Sequence, residues 1–256
     1  MSTFSTGKVE FELSRPVVTD RSYLAIYALN SSTSSTSSTS STFSNLINQC
    51  VAEVTGTEDG TGTGLLHVNP PIVVYGKPGY QHRSIGFFGK TEDAVGVPLI
   101  EGYRYSGQLA PAQPLPPCLA ELLDQVNAMF QADFNGILVN RYLGGADTIG
   151  AHSDDEKFLD PRTGVVAISW GASRTFRIRQ KSDKKIIADI PTASGTVMVM
   201  AGDFQKEFTH EIPAELKKKG VRVSFTFRKH LYGWLNKTFF LPLLVDHSVA
   251  FVDESK

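Results

Sequence analysis

Arg222-Val223-Ser224-Phe225-Thr226-Phe227-Arg228 alternates polar and apolar side chains without a break. Neighbouring side chains of an extended strand point to opposite faces, so Arg222, Ser224, Thr226 and Arg228 share one face and Val223, Phe225 and Phe227 the other. The segment therefore predicts a strand whose polar face is turned inward and backed by an apolar outer face. Arginine offers a planar fork of donors that grips a carboxylate in bidentate fashion. A pair of arginines on an inner face thus points to an anionic ligand such as a dicarboxylic acid, whereas arginines on an ordinary strand surface would be solvated cations.

Outward from this strand, the pattern continues as short strands separated by turn signals, predicted at 137–142, 165–170, 174–179, 185–190, 195–200 and 221–229. Pro116-Pro117 opens a predicted helix to about Phe130, with Leu119, Leu122, Leu123, Val126 and Phe130 at helical spacing on one face. This is a mainly β (α+β) chain, and the strands suit a double-sheet jelly roll buttressed by the helix. Before it, 9–13 and 22–29 read as strands and 43–51 as a short helix. The Ser-Ser-Thr repeat over 31–42 reads as a flexible linker or inserted loop, having no apolar residue to bury, and the Gly/Thr-rich 55–64 as a loop. The expected division is an N-terminal extension over 1–64, a domain over 65–232 and a C-terminal tail over 233–256.

The 256 residues are 41% hydrophobic, enough for one domain with a sizeable core. The formal charge of -1 is unusual for a nucleic-acid binder, which is more often basic. Basic residues do cluster in Arg174-Thr-Phe-Arg177-Ile-Arg179-Gln-Lys181-Ser-Asp-Lys184-Lys185 and in Lys217-Lys218-Lys219, as a phosphate-facing patch or as a solvated strand and loop. Cys50 and Cys118 are the only cysteines, which gives no disulfide framework and favours a reducing intracellular setting. There is no apolar leader, and the run 239–245 is too short and proline-broken to span a bilayer, so a soluble protein is expected. No oligomerisation pattern stands out, and a monomer is the default.

Upstream lies Asp147-Thr-Ile-Gly-Ala-His152-Ser-Asp154-Asp155-Glu156. In a strand His152 and Asp154 point the same way, and the distant His210 can complete two histidines and one carboxylate on a metal. Three ligands on one side leave open positions on the other, which suits non-haem Fe(II). The same ligand types can hold zinc for hydrolysis, but helical zinc-hydrolase motifs place two histidines four apart, and none is seen here. Asn140 and Tyr142 share a strand face, where both can hydrogen-bond a ligand.

These segments resemble the AlkB family of Fe(II)- and 2-oxoglutarate-dependent dioxygenases. The resemblance rests on Asn140-Arg-Tyr142-Leu-Gly-Gly-Ala-Asp147, His152-Ser-Asp154-Asp155-Glu156, Trp170-Gly-Ala-Ser-Arg174, His210 and the run from Arg222 to Lys229. It covers roughly 65–232 and is closest to the branch that repairs N-alkylated bases. It implies a jelly roll; Fe(II) on the catalytic residues His152, Asp154 and His210; and 2-oxoglutarate on Asn140, Tyr142, Ser224 and the arginines, its far carboxylate shared by Arg222 and Arg228. O₂ is the second co-substrate. The reaction implied is oxidative demethylation of N1-methyladenine or N3-methylcytosine in DNA or RNA, releasing formaldehyde, succinate and CO₂, in the nucleus if the source is eukaryotic. Such an enzyme takes a flipped or single-stranded base. The resemblance places Tyr103, Tyr105 and Ser106 on a base-recognition strand, Glu156 and Arg174 beside the base, and 82–89, with Arg83, Phe87 and Phe88, at the substrate lid. Tyr103, Tyr105, Phe87 and Phe88 read equally well as core aromatics, and Met198 and Met200 as wall residues. A same-fold oxygenase acting on a protein or small molecule, and a non-enzymatic nucleic-acid-binding module, are the alternatives.

Overall fold

The computed structural model describes residues 2–5, 10–29, 38–56, 64–74, 76–90, 102–105 and 108–231. Its elements in chain order are β1 Ser2–Ser5, β2 Glu10–Val18, β3 Ser22–Leu29, α1 Ser38–Thr55, β4 Pro71–Val74, β5 Lys77–Tyr80, β6 Ser84–Gly89, β7 Gly102–Tyr105, β8 Gln108–Pro111 and β9 Gln113–Pro114. There follow α2 Pro117–Phe130, β10 Gly136–Tyr142, β11 Ile149–His152, β12 Val165–Gly171, β13 Arg174–Gln180, β14 Ile186–Thr192, β15 Thr196–Gly202, α3 Phe204–Glu207, β16 Phe208–Ile212 and β17 Arg222–Arg228. The tail 233–256, most of the loop 55–64, the first part of the Ser/Thr repeat and Ser106 lie outside the described residues.

A large sheet in the order β1-β2-β3-β15-β12-β17-β10-β6-β9 faces a four-stranded sheet in the order β11-β16-β13-β14. All pairings in both are antiparallel except β6 with β9. The alternation read in 222–228 holds throughout the centre of the large sheet and produces three layers. Val223, Phe225 and Phe227, with Ile137, Val139, Val166, Ile168, Val197 and Val199, pack outward under the two long helices. The opposite faces send Tyr142, Val165, Ala167, Met198 and Met200 toward Phe176, Ile178, Phe208 and Ile212 of the small sheet. This is the jelly roll expected from the sequence, a cavity between sheets backed by an apolar layer. β14 carries Pro191, which a sheet edge tolerates because one side of an edge strand makes no ladder bonds.

Helix α2 begins with Pro117 in its first turn and ends at Gln131 in the left-handed conformation, burying Leu119, Leu122, Leu123 and Val126. The segment read as an N-terminal extension is built into the same core. β3 pairs with β15 over seven positions, and α1 buries Phe43, Leu46, Ile47, Cys50 and Val54 beside α2. Residues 38–42 of the Ser/Thr repeat form the opening turns of α1 rather than a linker. An apolar i, i+3, i+4 stripe from Phe43 onward supplies the burial that the repeat itself lacks. The segment 82–89 is not a lid: β6 is an interior strand between β10 and β9, and all six of its residues are buried. Phe87 and Phe88 are core aromatics, as their 1% and 0% exposures show. Among the described residues no helix is long and apolar enough to cross a membrane.

Candidate active site

Between the sheets lies a cavity of about 460 Å³. β17 presents Arg222, Ser224, Thr226 and Arg228 to it, β10 presents Leu138, Asn140 and Tyr142, and β15 presents Met198 and Met200, so the methionines are wall residues.

His152 ends β11 and sits opposite His210 of β16, the two rings 4.4 Å apart between centroids. The strand stops at His152, and the chain bends to bring Asp154 beside them, its Oδ2 3.8 Å from His210 Nε2. One ligand atom from each of His152, Asp154 and His210 lies within 4.8 Å of the others. His152 Nδ1 donates to the Gly150 carbonyl at 2.9 Å, which leaves the lone pair on Nε2, the form a metal needs. Burial pushes both imidazoles toward the neutral form, and His210, with His152 beside it, is held down to about 3. Burial alone would raise Asp154, but Arg228 and the two histidines outweigh it and hold the carboxyl at about 2. The result is two neutral imidazoles and a carboxylate whose buried Oδ2 has no hydrogen-bond partner. An orphaned buried carboxylate oxygen is costly unless a cation completes it, and this donor set fits Fe(II).

The two arginines do not converge on one carboxylate. They occupy opposite ends of β17, roughly 20 Å apart along the strand at about 3.3 Å per residue. Arg228 donates from Nη2 to Asp154 Oδ1 at 2.5 Å and lies 4.9 Å from the Tyr103 ring. Arg222 donates from Nη2 to Ser169 Oγ at 2.7 Å and lies 5.2 Å from the Tyr142 ring. Its Nε and Nη1 are buried without partners, an arrangement that fits a carboxylate received in bidentate fashion. Ser169, on β12, went unnoticed in the sequence because a lone serine in a strand carries no signal.

Asn140 accepts from Arg83 Nε at 2.8 Å through its Oδ1, which turns its amide N–H groups elsewhere, and both residues line the cavity. Tyr103 donates to Glu156 Oε1 at 2.7 Å. Burial raises both groups, Tyr103 well above its usual value, and Glu156 against the opposing pull of Arg228. Tyr105 lies on β7 with Tyr103.

Arg174, expected beside the substrate, is placed elsewhere. It does not line the cavity and is 2% exposed. Its Nε donates to Glu215 at 3.1 Å, Nη1 to the Gly144 carbonyl at 2.7 Å, and Nη2 to the Asp147 and Pro213 carbonyls at 2.8 Å each. The guanidinium ties the loop after β10 to the loop after β16. They approach so closely that a Cβ on Gly145 would lie 1.8 Å from the Glu215 carbonyl oxygen. The basic strip that follows is likewise paired: Arg177 with Asp189, Arg179 with Glu211, Lys181 with Asp155 and Lys185 with Asp183.

Residues 67–228 match the model of the 2OG-Fe(II) oxygenase superfamily. DNA oxidative demethylase ALKBH2 of Homo sapiens is 34% identical over 136 residues, covering 50% of this chain and 52% of that protein. ALKBH2 of Arabidopsis thaliana is 28% identical over 185 residues, 62% of this chain and 56% of that protein. Alpha-ketoglutarate-dependent dioxygenase alkB homolog 3 of Homo sapiens is 32% identical over 120 residues, 44% of this chain and 42% of that protein. The chain thus spans about half the length of the curated relatives it matches. A solved structure titled "The structure of OsALKBH1" is 18% identical with a TM-score of 0.43, over 73% of this chain and 92% of that one.

Proposed function

We propose oxidative dealkylation of nucleobases as the function of a chain that belongs to the 2OG-Fe(II) oxygenase superfamily and, within it, to the AlkB family. Enzymes of this superfamily use Fe(II), 2-oxoglutarate and O₂. In this reading the substrate is N1-methyladenine or N3-methylcytosine in DNA or RNA. The observation that carries it is a single cavity holding the His152–Asp154–His210 cluster together with the half-satisfied Arg222 and the buried Tyr103–Glu156 pair. The name of the ALKBH2 relatives, DNA oxidative demethylase, favours a nucleic-acid substrate over a protein or small molecule.

His152, Asp154 and His210 hold the metal. Arg222 anchors the far carboxylate of 2-oxoglutarate, supported by Tyr142 and with Ser169 fixing its guanidinium. Asn140, oriented by Arg83, donates to the co-substrate from its amide nitrogen, and Ser224 lies between Arg222 and the metal on the same strand face. Arg228 braces Asp154 and leaves Nε and Nη1 for the co-substrate's near carboxylate. When bound, the metal, 2-oxoglutarate and O₂ supply the oxidising power that hydroxylates the N-methyl carbon, which then leaves as formaldehyde, with succinate and CO₂ as co-products. The chain's contribution is to orient these groups and exclude water. Glu156, with its second oxygen buried and unpartnered, accepts from the exocyclic amine of the base, and Tyr103 fixes that carboxyl in place. Tyr105 and Ser106 are further candidates for contact with the base.

Full-length protein loaded anaerobically with Fe(II) and 2-oxoglutarate, then exposed to air with N1-methyladenine in single-stranded DNA, duplex DNA and RNA, tests this. Methyl loss on at least one substrate, weakened by Glu156→Gln, is expected. Succinate without methyl loss on any of them would turn the assignment toward a protein or small-molecule oxygenase.

A further inference from the structure

Asp154 stands outside any strand, since β11 ends at His152. Its backbone therefore has no ladder to fix it, yet a metal ligand must be held in one orientation to be effective. Three bonds supply the fixation. Ser153 Oγ donates to the Phe208 carbonyl at 2.8 Å, Arg228 holds one carboxylate oxygen of Asp154, and the Asp154 backbone N–H donates to Gln205 Oε1 at 2.9 Å.

Gln205 belongs to α3, the short turn between β15 and β16, five residues before His210. Its amide can face only one way. A backbone N–H needs an oxygen, so Oε1 meets Asp154, and Nε2 then turns to the weak acceptor Met200 Sδ at 3.6 Å. The main chain of Gln205 is fixed as well. Its carbonyl accepts from Lys181 Nζ at 2.7 Å, and the same ammonium pairs with Asp155 at 2.8 Å, so one lysine ties α3 to the residue after Asp154.

The turn that carries Gln205 is clamped from outside the family-matched residues 67–228. The Glu207 carboxylate accepts from Thr19 Oγ1 and Arg21 Nη2, both at 2.9 Å, and from Ser22 Oγ. The Asp203 N–H donates to the Arg21 carbonyl at 2.8 Å. Beside it Gly202 has φ +65°, and a Cβ there would lie 2.0 Å from the Arg21 carbonyl oxygen, so the β2–β3 turn sits directly on the end of β15. Phe204, fully buried, packs against Phe208 with ring centroids 5.2 Å apart.

We propose that Gln205 is a positioning residue for the metal: by accepting the Asp154 backbone N–H it fixes the bend after β11 that aims the carboxylate at His152 and His210. The β2–β3 turn holds Gln205 in place through α3. This rests on the reading that His152, Asp154 and His210 are the ligands. Bonds behind a ligand commonly set metal affinity by about 10- to 100-fold.

Co(II), titrated into the metal-free full chain and followed by its visible d–d absorption, reads affinity and coordination geometry together, with the thermal midpoint of the metal-free protein measured alongside. Gln205→Met keeps the side-chain length and removes the acceptor. It is expected to bind Co(II) about tenfold more weakly or worse, with an altered d–d band and a metal-free midpoint near that of the wild type. Gln205→Glu keeps an oxygen acceptor and is expected to restore both affinity and band. Wild-type affinity and spectrum in Gln205→Met, or a Gln205→Glu as weak as Gln205→Met, would overturn the proposal. Should Gln205→Met not fold, Gln205→Asn replaces it, its oxygen withdrawn by one methylene. Weakened binding is then expected, and wild-type binding would overturn the proposal. A wild-type protein that binds no Co(II), or an Asp154→Ala variant that binds as tightly, overturns the ligand assignment itself.

Discussion

Arg174 and Arg222 are both buried arginines near the Tyr142 ring, at 5.8 and 5.2 Å, but their partners differ. Arg174 has a protein acceptor for Nε and for both terminal nitrogens, whereas Arg222 leaves Nε and Nη1 unpaired inside the cavity. An unsatisfied buried donor costs about 1–3 kcal/mol, so the unpaired nitrogens of Arg222 support its proposed ligand role, whereas those of Arg174 are bonded within the fold. Arg222→Lys loses the bidentate fork. It is expected to raise KM for 2-oxoglutarate about tenfold or more, the equivalent of one charge-assisted hydrogen bond, with little change in stability. Arg174→Met leaves Glu215 and several carbonyls without their donor and should cost about 3 kcal/mol or more in urea unfolding. Succinate formation against co-substrate concentration, and urea titration, check the two. An unchanged KM in the first, or an unchanged midpoint in the second, would reverse the roles. The sequence showed that both residues stand out but could not separate them, because a guanidinium's function depends on which carbonyls surround it, and those come from loops far away in the chain.

At the level of elements, strict polar–apolar alternation made β17 readable, and apolar runs bounded by turn signals made β10, β12 and β15 readable, since each has one face under the helices and the other in the cavity. β16, which carries His210, was not readable as a strand, and the strand expected to hold both His152 and Asp154 stops at His152. Four and five residues long, β11 and β16 are too short for a periodic signal, and in β11 small and polar residues prevail. β6 was taken for a lid from its position alone, whereas Ile85, Phe87 and Phe88 pack it into the interior. The N-terminal segment was underestimated because the Ser/Thr repeat separates its strands from its helix and hides that both join one core. Ile47, fully buried on α1, tests this placement. Ile47→Ala should destabilise the whole domain by about 2–5 kcal/mol in a single cooperative unfolding transition. Loss of α1 signal with the rest of the fold unchanged would make the segment an independent appendage after all.

Across the whole molecule, the near-neutral charge and the site agree once the ion pairs are counted. Arg177, Arg179, Lys181 and Lys185 each face a carboxylate, so the strip that looked phosphate-facing presents little net charge. Exposed Lys217, Lys218 and Lys219 carry more of it. Affinity for nucleic acid should therefore depend on salt only shallowly, with a log–log slope of about -3 or smaller in magnitude, since each neutralised phosphate contributes nearly one. Fluorescence anisotropy of a labelled oligonucleotide across a salt series measures it, and a slope two or three times steeper would point to a basic surface built in some other way. Recognition would then rest on the cavity more than on the field around it. The most direct test of that view is the ratio of formaldehyde to succinate formed on N1-methyladenine single-stranded DNA, in matched reactions with iron and with iron chelated. We predict formaldehyde close to one per succinate, lost entirely with the chelator and in Asp154→Ala. Succinate that forms at the same rate with or without the oligonucleotide, and no formaldehyde, would contradict the account.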